Sequence, residues 1–131
     1  MYKYTATYTD YNGNEQTEDF YFNLSKAELL EMEMLHPEGF EGWVKRIIKA
    51  DDRQTILETF KQIILQAYGE KDESGKRFVK NDALSESFKQ TEAYSDLYVK
   101  LCSDAEFAAE FINGIVPKVE AVKTDQISSA K

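Results

Sequence analysis

Residues 2–28 are YKYTATYTDYNGNEQTEDFYFNLSKAE, two alternating runs around a turn followed by a helix start. From Tyr2 to Thr9 the side chains alternate, with Tyr2, Tyr4, Ala6 and Tyr8 on one side and Lys3, Thr5, Thr7 and Thr9 on the other. That two-residue period belongs to a half-buried strand. Asn12-Gly13 in the following Asp10–Asn14 segment accepts positive φ at low cost, which makes it a hairpin signal between two alternating runs. Gln16 to Leu24 is then the return strand, with Phe20, Phe22 and Leu24 on one face and Thr17, Asp19, Tyr21 and Asn23 on the other. A lone hairpin is marginal in water, so its aromatic face needs a helical partner. Ser25 and Glu28 form a capping box, in which each side chain serves the other's backbone N–H, and a helix starts there.

Working outward, this first helix carries Leu29, Leu30 and Met32 and stops near Leu35-His36, ahead of Pro37 and Gly39. Phe40, Trp43, Val44, Ile47 and Ile48 then recur at the spacing of one buried helical stripe. The hairpin's Phe20 and Phe22 are expected to meet it. Asp51 or Asp52 caps a further helix bearing Ile56, Leu57, Phe60, Ile63, Ile64, Ala67 and Tyr68, which Gly69 ends. A helical run begins at Asn81 or Asp82 and carries Leu84, Phe88, Tyr94, Leu97, Tyr98 and Leu101, with a break where Thr91 can cap. Asp104 caps a last helix with Phe107, Ala108, Phe111 and Ile112, which Asn113-Gly114 terminates. The fold class that results is α+β and mainly helical: an N-terminal antiparallel β-hairpin packed on a bundle of about five helices. Residues 1–116 are expected to form a single globular domain and 117–131, which lack any aromatic or apolar stripe, a flexible C-terminal tail.

Between the helices ending at Gly69 and starting near Asn81 lies GEKDESGKRFVK, residues 69–80. Its Gly75-Lys76 pair invites comparison with a phosphate-binding loop. Such a loop needs four residues between its glycines and a hydroxyl after the lysine. Here the spacing is wrong and Arg77 stands in the hydroxyl position, so the segment reads as a polar connector in which Phe78 and Val79 tuck inward as a short extended arm.

The remaining chemistry is sparse. His36 is the sole histidine and Cys102 the sole cysteine, so neither a zinc site nor a nucleophile–histidine pair has enough members. His36 reads as a surface or helix-capping residue and Cys102 as a small structural hydrophobe. Glu28, Glu31, Glu33, Glu38 and Glu41 read as a solvated face, and Asp72–Gly75 lacks the ligand spacing of a calcium loop. Lys45, Arg46 and Lys49 make one small basic patch. No catalytic residue, cofactor or metal follows from these patterns, and no partner-binding residue either. A net charge of −8 disfavours nucleic acid and anionic membrane surfaces. Without an apolar block of roughly 20 residues or a signal-peptide pattern, a cytoplasmic protein is expected. The eight Tyr and eight Phe are mostly core by periodicity, while Tyr21 and Tyr68 are candidates for partial exposure, which would mark a protein-binding surface.

Taken together, DYNGNEQTEDFYFNLSKAELLEME, IIKADDRQTILETFKQIILQAYGEKDESGKRFVK, FKQTEAYSDLYVKL and AAEFINGIVP resemble the tail assembly chaperones of phages and prophages of Gram-positive bacteria. The resemblance spans about residues 4 to 117. It implies a non-enzymatic protein of the host cytoplasm that keeps the phage tape measure protein soluble and helps recruit the tail tube protein. These segments are packing and capping patterns, so the resemblance transfers no site residue. A small virion structural component, for tail or head completion, is the alternative, and it would be found in purified particles. A carboxylate-dependent metal hydrolase is the enzymatic one, and it would lose metal-dependent activity on a single carboxylate substitution.

The failed phosphate-loop match generates a first prediction. Magnesium with ATP or GTP should leave the melting temperature unchanged, whereas a ligand at about a hundred times its Kd adds about 2.7 kcal/mol. A reproducible shift that Lys76→Ala removes would overturn this.

Overall fold

The computed structural model describes residues 1–117. Strands β1 (Tyr2–Thr9) and β2 (Glu15–Phe22) pair antiparallel in unbroken one-to-one register, from Tyr2 opposite Phe22 to Thr9 opposite Glu15. Asp10 builds the turn. One of its carboxylate oxygens accepts from the backbone N–H groups of Asn12 and Asn14, and the other from the Gln16 amide, while Gly13 takes a φ of +84°. These donors, the Gln16 amide foremost, hold the Asp10 carboxyl below its ordinary range. On the outer face Thr5 donates to Asp19 at 2.6 Å and the Thr7 and Thr17 hydroxyls lie 3.1 Å apart.

Among the described residues six helices follow, one more than the approximate count from sequence: α1 (Lys26–Leu35), α2 (Gly39–Ala50), α3 (Arg53–Ala67), α4 (Asp82–Lys89), α5 (Glu92–Ser103) and α6 (Ala105–Ile115). The architecture is α+β and mainly helical. Five of these helices start at caps read from sequence, whereas α2 begins without a side-chain cap. Ser25 and Glu28 close both bonds of the capping box, and Asp52, Asn81, Thr91 and Asp104 each accept from the backbone N–H three residues on. Asp51 does not cap α3; it ends α2 in the left-handed region at φ 56°.

The segment 69–80 is more than a connector. Tyr68–Lys71 (β3) and Phe78–Val79 (β4) form a second antiparallel hairpin, and the four strands lie in the order β1-β2-β3-β4. Asp72 organises its turn, accepting from the Ser74 hydroxyl and from the Arg77 backbone and side chain, with Gly75 at φ +75°. Gly69 belongs to this strand and does not end the preceding helix. A Cβ on it would lie 2.7 Å from the Phe78 ring and 2.8 Å from the Val79 carbonyl oxygen, so only glycine permits this approach. Lys80 anchors the far end. Its ammonium donates to the Asn23 carbonyl at 2.6 Å and to both Glu28 carboxylate oxygens at 2.8 Å, tying β4 to the start of α1.

The inner face of the sheet packs on α4, α5 and α6. Phe22 is fully buried between Tyr68, Phe88 and Phe111, with ring centroids 5.3–5.7 Å away. Phe20 meets Tyr68 and Phe88, and those two rings stack at 4.3 Å. The expected contact of Phe20 and Phe22 with the Trp43 stripe is therefore replaced. Helix α2 packs against α1 and α3 instead, and Trp43 is buried beside Phe40 with the His36 ring stacked on it at 4.1 Å. Tyr68 is buried and Tyr21 partly so. The segment 118–131, most of the expected C-terminal tail, lies outside the described residues.

Asn113-Gly114 also departs from expectation, since α6 runs through it to Ile115. Gly114 faces β1, where a Cβ would stand 2.5 Å from the Tyr2 ring. The glycine gives room for an aromatic ring against a helix and does not cap it.

This packing can be tested at Gly114 and at the tyrosines. Gly114→Ala should destabilise the protein by roughly 1–3 kcal/mol in urea unfolding through overpacking, although alanine in a helix is worth about 1 kcal/mol over glycine; a gain in stability would show that Tyr2 yields. The other test concerns tyrosine ionisation. The hydrogen bond to Glu18 pushes the Tyr8 phenol up to about 12, and burial pushes Tyr68 and Tyr94 up to about 12. Because the folded values exceed the unfolded one, the associated stability is present below pH ~10 and is lost as pH climbs toward the folded values. An absorbance titration should find un-ionised phenols in the native protein near pH ~11 that ionise at once on adding guanidinium chloride.

Candidate functional site

Among the described residues, an apolar groove and an apolar helix face stand open once the core is assembled, and both arise from helices with more apolar residues than one neighbour can cover. The larger is a groove of about 510 Å³ between α2 and α6, floored by α3 and the end of α5. Helix α6 is two-faced. Phe107, Phe111 and Ile115 turn toward the sheet and the rest of the core, while Ala105, Ala108, Ala109 and Ile112 wall the groove. Across it stand Val44 and Ile48 of α2, with Ile56 and Phe60 of α3 beneath. Alanines at i, i+3 and i+4 leave one wall shallow, so that another helix can approach closely. Polar groups are confined to the edges: Glu41 and Lys45 on the α2 side, Ser103 and Asn113 on the other.

Sequence periodicity assigned these residues to a single buried stripe per helix. Ile48 is instead 48% exposed at the groove's rim, whereas Phe40, Trp43 and Val44 of the same helix are buried. Ala108 and Ile112 are buried yet still line the groove. The spacing of apolar residues gives a helix face but not which neighbour covers it, and that is why the groove was not legible.

The second surface is α1 itself, none of whose residues is buried. Leu30 and Met34 lie one turn apart and, with Leu35, are 59–82% exposed. Beside it is a smaller hollow of about 220 Å³, lined by Leu24, Met32 and Leu35 with Glu28, Glu31 and Gln66.

The residues weighed for chemistry are scattered. His36 ends α1 and stacks on Trp43. Cys102 is half-buried in the groove, where burial pushes its thiol up, so it behaves as a small hydrophobe and not as a thiolate. Gly75 and Lys76 occupy an exposed hairpin turn, without the helix N-terminus that a phosphate loop requires. The basic patch is interrupted because Arg46 bonds Glu38 at 2.6 Å. Glu28 is engaged with Ser25 and Lys80. Among the described residues no group of three or more His, Cys, Asp or Glu could hold a metal ion, and no helix is long and apolar enough to cross a membrane.

What the geometry offers, then, is open apolar surface. Neither a curated protein nor a solved structure matches this chain. The profile of the family described as phage tail assembly chaperone does, over residues 1–129. A match across almost the whole length places this chain in the phage tail assembly chaperone family.

Proposed function

We propose that this chain is a non-enzymatic chaperone that binds the phage tape measure protein in the host cytoplasm and assists assembly of the tail tube. The observation that carries this reading is the open apolar groove between α2 and α6 on a chain of net charge −8. The occupant we assign is an apolar stripe of a client helix, lying along the alanine wall of α6 with its larger side chains directed onto Phe60 and Ile56. A long helical client exposes such stripes before it packs into its own assembly, and covering them prevents their mutual association. The polar edges of the groove leave the client's charged face in water. Binding driven by apolar burial, at about 25 cal/mol per Å², is not screened by salt. We place this activity in residues 1–116, and recruitment of the tail tube protein is a second contact made by the same complex.

Co-expression tests the proposal. The tape measure protein should remain soluble with this chain and form a complex by size-exclusion chromatography that persists from about 0.1 to about 1 M salt. Ile48→Lys and Ala109→Glu place a charge in the groove from exposed positions and should weaken the complex about 10- to 100-fold. Val99→Glu, at an exposed apolar position of α5 outside the groove, should leave it intact. Equal solubility without this chain, with no complex at either salt concentration, would exclude the client proposed here, and finding the chain in purified particles would make it a virion component.

A further inference from the structure

Strand β1 forms one edge of the sheet, and its unpaired side can be assigned residue by residue. In an antiparallel pair, residues alternate between those that exchange both bonds with the neighbouring strand and those that turn N–H and C=O away. The turn fixes the phase. Asp10 donates its N–H to the Asn14 carbonyl at 2.8 Å, so Tyr8, Ala6, Tyr4 and Tyr2 are the residues bonded to β2. The other side of β2 agrees, because Asn23 donates to Ala67 at 2.8 Å, which directs the odd-numbered residues of β2 toward β3. Lys3, Thr5, Thr7 and Thr9 thus point their backbone groups out from the sheet. Among the described residues none of these groups has a hydrogen-bond partner.

Exposed edges are usually blunted by brevity, proline, a bulge or inward charge. The opposite edge, β4, follows this rule with two residues. β1 does not. It has eight residues, no proline, no bulge in its register and one charge, Lys3. Its charge is also unusual for this chain: β2 carries Glu15, Glu18 and Asp19, yet β1 has no acid at all in a protein of net charge −8. Two copies can approach along β1 without opposing carboxylates.

We propose that β1 pairs antiparallel with β1 of a second copy across a two-fold axis, with Thr5 opposite Thr7 of that copy and Lys3 opposite its Thr9. In this register all four outward residues exchange both bonds, about eight hydrogen bonds in all. Thr–Thr neighbours are favourable cross-strand pairs, and no lysine faces a lysine. Ala6, the smallest side chain on the inner face, falls at the axis. Strand pairing alone is a small interface, below about 1,200 Å², so the dimer forms weakly, at about 10 μM to about 1 mM chain.

Sedimentation of the full chain over that range should show a monomer–dimer equilibrium, and amide exchange of Lys3, Thr5, Thr7 and Thr9 should slow only as the dimer fills. Thr7→Pro removes an outward N–H without breaking a bond to β2, so it should abolish the dimer while circular dichroism and melting stay near the parent values. The register is tested by charge. Thr5→Lys with Thr7→Lys sets lysine opposite lysine twice and should weaken the dimer roughly tenfold, whereas Thr5→Lys with Thr7→Glu should restore it. Thr5 neighbours Asp19 within its own sheet, so the new lysine has the same local partner in both double variants. If Thr7→Pro does not fold, the two charge variants decide. The proposal is overturned by a monomer at every concentration, by a dimer insensitive to these changes, or by protection of the four amides in the monomer, which would put a strand of the same chain on the edge.

Discussion

The chain turns a corner at Asn23-Leu24, and two hydrogen bonds there set the position of nearly everything else. Every helix ends with carbonyls that have no partner within it. The Asn23 N–H donates to Ala67, the last residue of α3, and the Leu24 N–H donates to Ile115, the last residue of α6, both at 2.8 Å. The end of the hairpin thus completes two helices that are distant in sequence. Each such bond contributes only about 0.5–1.5 kcal/mol net. Their placement matters more than their strength, because Phe22 and Leu24 on either side are fully buried and an unmet backbone group between them would be costly. Lys80 reinforces the same corner by bonding the Asn23 carbonyl and the Glu28 carboxylate that caps α1.

Much of this was legible because local rules acted alone. The Asn12-Gly13 turn, the alternating faces of the first hairpin, the Ser25–Glu28 box and the caps at Asp52, Thr91 and Asp104 depend on residues within a few positions of each other. The misreadings share a different cause. β4 is two residues long and shows no period, so its pairing with β3 could not be seen. Gly69 and Gly114 both resemble helix stops, but each is set by a ring brought from elsewhere, Phe78 in one case and Tyr2 in the other. The nearest strong stripe in sequence is not the partner of Phe20 and Phe22; the rings that enclose them, Phe88 and Phe111, come from helices much further along.

The candidate binding surface was hidden for a related reason. Ile48 and Ala108 are indistinguishable from core residues by spacing, and only the positions of α2 and α6 across a gap reveal them as groove walls. The client binding proposed above would rest on apolar burial, which leaves no short motif of the kind that marks a nucleophile or a metal site. Family membership is visible in the sequence because it rests on the whole set of turns, caps and stripes. Those are the features that a shared fold preserves.

Trp43 adds a consequence for how this protein is observed. It is the only tryptophan, and it is buried in α2 beneath the His36 ring, in the layer formed with α1 and away from the aromatic cluster of Phe22, Phe88 and Phe111. Indole emission therefore reports on the α1–α2 corner, while the tyrosine signal is distributed over the sheet and its covering helices. Because α1 contributes no fully buried residue and packs only through partly buried Leu29 and Met32, that corner is lightly held. Tryptophan and tyrosine signals consequently view two different portions of the molecule. Coincidence of their transitions is a direct measure of whether the periphery and the sheet core unfold as one cooperative unit.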